Sequence, residues 1–200
     1  MIPKRKPIDY SLTLDKLVPT RPATVFRLLL VLSFAATPVG ARAQTVSAAC
    51  KPLLDANTKE ISTPHHAYST EKSSANAAQT TSGEMITTAT GSFLLYKGKW
   101  MKGLMTPQEN IAQMQENLRN TKVYECKKLP DASVDSVATT VYSAHSENDM
   151  AKTDTQLWVD KSTGLILREE IDMYADEGGG KRHISMKFDY TNVQPPPGVK

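Results

Sequence analysis

Residues 156–170 constrain the fold of this 200-residue chain more than any other stretch. Gln156-Leu157-Trp158-Val159 is an apolar and aromatic run of strand formers, Asp160-Lys161-Ser162-Thr163 is a polar turn, and Gly164 is available for a positive φ before a second run through Glu170. On physical grounds this is a β-hairpin. Past it, Leu165, Leu167, Ile171 and Met173 fall on one side of a strand and Arg168, Glu170 and Asp172 on the other. Ile184, Met186, Phe188 and Tyr190 then alternate with Ser185, Lys187 and Asp189, the period of a half-buried antiparallel strand, with Gly178-Gly179-Gly180 as the turn between.

The same reading extends upstream. Cys50, Leu53, Leu54 and Ile61 share one helical face, so a short helix is expected over 51–61, ended by Thr63-Pro64. Residues 65–72 read as a strand and the Ser-, Ala- and Asn-rich 73–82 as a polar loop. Residues 84–90 and 92–101 are two strands or one long kinked one, with bends or bulges at Gly91 and Gly98. Thr106-Pro107-Gln108-Glu109 combines an N-cap, a proline at the first helical position and a capping-box glutamate, so a helix starts at Pro107 with Ile111, Met114 and Leu118 as its apolar stripe. Strands follow over 122–127, 134–146 and 155–160, and the Pro195-Pro196-Pro197 tail is expected to trail as an extended end. The expected architecture is α+β, an antiparallel sheet with two helices on one side, in one domain over 44–193 with a Pro-rich tail at 194–200.

Residues 28–36 are an apolar-leaning run of nine, interrupted only by Ser33, preceded by Arg21 and Arg27 and followed by Ala41-Arg42-Ala43. The run is far shorter than the roughly twenty residues a spanning helix needs, and the small residues suit signal peptidase. Residues 1–43 therefore read as a signal peptide cleaved near Ala43, with an over-long start; an uncleaved anchor is the other reading. That leader holds seven of the 24 Lys and Arg and two of the 21 Asp and Glu, leaving 17 basic against 19 acidic residues. The mature chain has no positive excess for a phosphate backbone, which argues against nucleic-acid binding, and no membrane span is expected in it. Cys50 and Cys126 both lie beyond the leader, and two thiols in an oxidising compartment are expected to pair. Acylation of Cys50 is the weaker alternative, since Ser47-Ala48-Ala49 lacks the usual leucine and lies far from the apolar run.

The wording of residues 156–170, Trp158-Val159-Asp160, then Thr163-Gly164-Leu165, then Leu167-Arg168 and Glu170, resembles the W-V/I-D-x-x-T-G-L-P-L/V-R-x-E hairpin of the outer-membrane lipoprotein carrier superfamily, which includes LolA, LolB and RseB. Ile166 stands where those proteins often carry proline, and residues 51–120 offer no matching motif. The resemblance implies a strongly curved sheet, a half-barrel, with helices covering its concave side and an apolar cavity between them. In the hairpin itself the residues are expected to be structural: Trp158 in the core, Asp160 and Thr163 shaping the turn, Gly164 permitting it.

No nucleophile motif, Walker loop or metal-ligand spacing is present. His65-His66 would point to opposite faces of a strand and are expected to be exposed, His145 and His183 lack ligand spacing, and Glu169-Glu170 cannot form a dyad because neighbouring strand residues face opposite ways. No catalytic residue, metal or cofactor is expected. Phe93, Leu95, Trp100, Met101 and Met105, with Ile111 and Met114 of the second helix, are the candidate lining of an apolar cavity. The expected function is an exported periplasmic, non-enzymatic protein that binds a lipid, lipoprotein or acyl chain. The alternative is an envelope interaction or sensor module of the same fold, without an open cavity, that binds a protein partner.

Overall fold

Nine antiparallel strands form one open, curved sheet in the computed structural model, which describes residues 47–74, 76–148, 151–175 and 180–199. After a single 3-10 turn at Ala48–Cys50 come α1 (Lys51–Ser62), β1 (His65–Ser73), β2 (Asn76–Thr88), β3 (Gly91–Tyr96), β4 (Lys99–Lys102) and α2 (Pro107–Arg119). The chain then runs through β5 (Val123–Val134), β6 (Val137–Glu147), β7 (Ala151–Asp160), β8 (Ile166–Ala175) and β9 (Lys181–Asp189). The sheet order is β4-β3-β2-β1-β9-β8-β7-β6-β5. Two meanders, β1–β4 and β5–β9, are therefore joined through one long-range pairing, β1 with β9. The fold is an α+β half-barrel with the helices on its concave side. The expected signal peptide over 1–43 lies outside the described residues.

Local chemistry explains most element ends. Thr106 accepts from the Glu109 N–H, and the Glu109 carboxylate accepts from the Thr106 N–H and hydroxyl, which starts α2 where the sequence places it. Asp160 accepts from the Ser162 N–H and from both the Ser162 and Thr163 hydroxyls, and Gly164 takes a φ of 70°, so the hairpin turn forms as expected. A disulfide joins Cys50 to Cys126, tying the start of α1 to β5.

Several expectations need correction. Within the polar stretch 73–82, Ser73 ends β1 and residues from Asn76 on are strand: Thr80, Thr81 and Ser82 pair with Lys72, Glu71 and Thr70, so ladder hydrogen bonds to β1 override polar composition. Gly98 does not bend one strand but closes a hairpin, with Lys97 and Gly98 both at positive φ. Val134 ends β5 rather than opening β6, because Asp135 and Ser136 make a tight turn at positive φ without glycine. Pro130 is accommodated by a register shift in β5, an edge strand. Trp158 is not in the core. Its neighbours Leu157 and Val159 take the helix-facing positions, and Trp158 lies on the outer face with the Arg168 guanidinium 4.9 Å from its ring centre.

The core lies between α1 and the sheet, where Leu53 and Ala56 pack on Ala67, Ala144, Leu157, Val159, Ile166 and Phe188. Second helix α2 is held less tightly: it contacts α1, and Pro107 is its one buried residue.

Candidate functional site

The last turn of α1 and the first residue of β1 are separated only by Thr63-Pro64, which turns the chain back onto the sheet. This brings Glu60 Oε1 to 2.9 Å from His65 Nε2, while His65 Nδ1 donates to the Thr63 carbonyl at 2.8 Å. His65 is 1 % exposed, which corrects the expectation of an exposed histidine. It begins β1 on the helix-facing side, and His66 takes the outer face, as adjacent strand residues must. The His65 ring lies 5.6 Å from Phe188 and 5.8 Å from Tyr190, centre to centre. Burial opposes a charge on His65, but the Glu60 carboxylate and the Thr63 carbonyl together outweigh it and raise its pKa.

Between the helices and the sheet is an open cavity of about 750 Å³. Glu60, His65 and Tyr124 form part of its wall on the sheet and α1 side, Met85 and Thr87 part on β2, and Asn110, Gln113 and Met114 part on α2. Glu169, paired with Leu157 on the helix-facing side of β8, stands within electrostatic reach of Glu60, Tyr124 and Tyr190. Among the described residues, none donates a hydrogen bond to it. Burial, reinforced by the Glu60 charge, pushes its carboxyl up to about 8. Burial and the Glu169 charge push the Tyr124 hydroxyl up to about 12. Burial together with both carboxylates raises Tyr190 as well, whose hydroxyl donates to the Ile166 carbonyl at 2.7 Å.

Cross-strand register places four of the seven candidate lining residues. Ala67, Met85, Leu94 and Met101 are successive partners across β1, β2, β3 and β4, so all four face the helix side. Ile86, Phe93 and Lys102, and likewise Glu84, Leu95 and Trp100, form rows on the other face. Phe93, Leu95 and Trp100 are thereby separated from Met101 and Met114; the Trp100 ring lies 6.1 Å from that of His66 on the outer side. Met114 lines the cavity, Ile111 is part-buried on the same helix stripe, and Met105 is exposed in the β4–α2 connection beside the fully exposed Leu104. Met85 and Leu94 were absent from the expected set, although the register makes them the link between cavity and sheet edge.

Over β6–β9 the outer face carries two histidine–carboxylate clusters. His145 lies 2.7 Å from Asp154 and 3.1 Å from Glu147, and these two carboxylates raise its pKa. His183 lies 2.8 Å from Asp172 and 3.0 Å from Glu170. The two histidines stand on β6 and β9, with β7 and β8 between them. Glu170 is outward and Glu169 inward, so they form no dyad.

No protein-family model matches the chain, and a search of curated proteins gives no match. Among solved structures, the chain is similar to the lipoprotein LppX of Mycobacterium tuberculosis, at 14 % identity and a TM-score of 0.40, over 74 % of this chain and 96 % of that one. It is similar to MucB in its complex with MucA(peri), at 12 % identity and a TM-score of 0.46, over 74 % of this chain and 57 % of that one. A LolA superfamily protein from Nitrosomonas europaea matches at 11 % identity and a TM-score of 0.29, over 76 % and 96 %. That superfamily is the one whose hairpin residues 156–170 resemble, and no site residue is transferred from any of the three.

Proposed function

We propose that the protein is an exported, non-catalytic binding protein of the cell envelope that holds an acyl chain or lipid between α2 and the helix-facing side of β1–β4. One observation carries this reading. The row Ala67, Met85, Leu94, Met101 runs from the buried core, along the cavity wall, to the sheet edge, where Leu94 is 45 % and Met101 47 % exposed. Adjacent strands lie about 4.8 Å apart, so the row is an apolar track roughly 14 Å long. Leu104 and Met105 extend the apolar surface at its outer end. Covering each half-exposed Leu or Met contributes about 1 kcal/mol, enough for affinity without covalent chemistry.

Because Pro107 is the one buried residue of α2, that helix is suited to swing on its capped N-terminus and admit the chain. The Cys50–Cys126 disulfide supports export, since such a bond persists in an oxidising compartment. Native mass spectrometry of protein purified from cells, with titration of a fluorescent fatty acid, tests the reading. Co-purified lipid is expected, as is tenfold or more weaker probe binding in Leu94→Asp, with Tyr174→Asp on the outer face unaffected. Lipid-free protein that ignores the probe, or a protein partner crosslinked in cells over Leu94 and Met101, would replace it with the interaction-module reading.

A further inference from the structure

Five of the eight large apolar side chains that stand exposed among the described residues fall between positions 94 and 105: Leu94, Tyr96, Met101, Leu104 and Met105. The same stretch is basic. Residues 85–108 contain Lys97, Lys99 and Lys102 and no Asp or Glu, although acids outnumber bases beyond residue 43. Among the described residues no carboxylate pairs with any of these three lysines, whereas Arg168, Lys181, Arg182 and Lys187 of β8 and β9 each have one at 3.0 Å or less. Glu84, opposite Leu95 on β2, lies 3.1 Å from His66, and Glu109 is taken up by the α2 capping box. The patch is carried on fixed backbone along the β4 edge of the sheet. The Gly103 N–H donates to the Ser92 carbonyl at 2.7 Å, an approach that the missing side chain permits, since a Cβ at 103 would stand 2.1 Å from Ser92 Oγ. Leu104, fully exposed, and Met105 are thus held out between Gly103 and the capped Thr106. Lysines guard an edge strand against pairing with another chain, but such a guard needs no exposed apolar groups beside them.

We infer that the β3–β4 edge and the Leu104–Met105 projection dock on an anionic lipid surface, with Tyr96, Trp100 and Leu104 at the boundary of headgroups and acyl chains and the three lysines against lipid phosphates. Tyrosine and tryptophan suit that boundary because each joins an apolar ring to one polar atom. The unpaired N–H and C=O groups of an edge strand find partners among headgroups and interfacial water and none in hydrocarbon, so the contact is shallow. Each lysine gains from the negative surface potential. A second copy of the chain would set three lysines against three, and a projecting leucine needs a shaped pocket on a protein but none in a fluid lipid surface. The inference stands beside the cavity reading and does not depend on it.

The test is binding of the purified protein to phosphatidylcholine vesicles with and without phosphatidylglycerol, read by quenching of Trp100 with lipids brominated near the top of the acyl chain. A Trp158→Phe background leaves Trp100 as the single tryptophan, so the signal comes from this edge and not from the apolar run 28–36, which adds lipid contacts of its own where it is retained. Binding is expected to be about tenfold or more tighter to the anionic vesicles and to weaken in high salt. Replacing Lys97, Lys99 and Lys102 together by Gln should weaken it about tenfold or more, while replacing Lys51, Lys72 and Lys127 by Gln, which removes the same charge elsewhere, should change it less than about twofold. Leu104→Asp, at a fully exposed position that folding does not use, should abolish the quenching. Equal binding to both kinds of vesicle, equal loss in the two triple variants, or an unquenched Trp100 in vesicle-bound protein would overturn the inference. Protein that meets these expectations and ignores the fatty-acid probe would keep this inference and lose the cavity reading.

Discussion

Replacing Glu169 by Gln tests how the concave side is held together, and its effect depends on pH in a sign that follows from the structure. In the folded chain the carboxyl keeps its proton up to about 8, against an ordinary value of 4.5. Between those limits the folded state binds more protons than the unfolded one, so stability falls as pH rises. At 1.36 kcal/mol per unit, raising the pH from about 5 to about 8 should cost wild type on the order of 3 kcal/mol through this one group. His65 acts in the same direction: its pKa is raised, so its contribution is complete below about 6.5 and is lost as pH rises through the folded value. The carboxylates whose pKa values are lowered, Glu71, Glu109, Asp131, Glu147, Asp160, Asp172 and Asp189, lose their contributions only on acidification and stay outside this window. Subtracting the variant from wild type therefore isolates Glu169. Urea denaturation followed by circular dichroism across that range should find Glu169→Gln within about 1 kcal/mol of wild type at the acid end and about 3 kcal/mol more stable at the alkaline end. A difference that does not change with pH would show that Glu169 is ionised at neutrality, and the description of its surroundings would be wrong.

Two further outcomes follow from covalent and capping chemistry. Cys50 and Cys126 are 76 residues apart, so in the loop-entropy account the double Cys→Ala variant should lose about 4.5 kcal/mol, a drop of roughly 10–15 °C in Tm by calorimetry; a change of under about 2 °C would refute it. Thr106→Ala removes the side-chain half of the α2 capping box and the hydroxyl bond to Glu109, keeps the backbone N–H to Glu109, and should cost about 1 kcal/mol locally. Hydrogen exchange in the first turn of α2 should then rise about fivefold, with β7 and β8 unchanged; equal rates would mean that the cap does not hold the helix.

Where a residue's role is set by its immediate neighbours, the sequence reading reached it. The Thr106–Glu109 box, the Asp160 turn with Gly164, and the alternation through β9 all depend on contacts within a few residues, and all appear where they were expected. Strands whose hydrogen bonds depend on a partner were harder to read. Residues 76–82 look like loop because nothing in their polar side chains announces β1 as a neighbour, and the Asp135-Ser136 turn lacks the glycine that usually marks one. The Trp158 position failed for a different reason: aromatic character suggested the core, but parity with Leu157 and Val159 decided the face. Parity also contained an unused signal. Leu167, Ile171 and Met173 occupy odd positions of β8, and Glu169 is the acidic residue interrupting that side, while a bulge next to Val159 puts Ile166, an even position, in the core.

The rest of the acidic cluster was not legible because it is assembled by one pairing of low sequence locality. Glu60 is in the last turn of α1, His65 begins β1, Tyr124 is near the start of β5, Glu169 is on β8 and Tyr190 follows β9. None of these has a motif neighbour in the chain. The β1–β9 register, with His66 opposite Asp189, sets Tyr190 beside His65, and the β8–β9 register then carries Glu169 into reach. A slip of one residue in the β1–β9 register would turn His65 to the outer face and His66 inward, moving a whole strand's side chains to the other side at once. Phe188 and Ala67, partners across that same register and both buried, oppose the slip by packing in the core. The pairing that closes the two meanders into one sheet is thus also the pairing that sets Tyr190 beside His65 at the wall of the cavity.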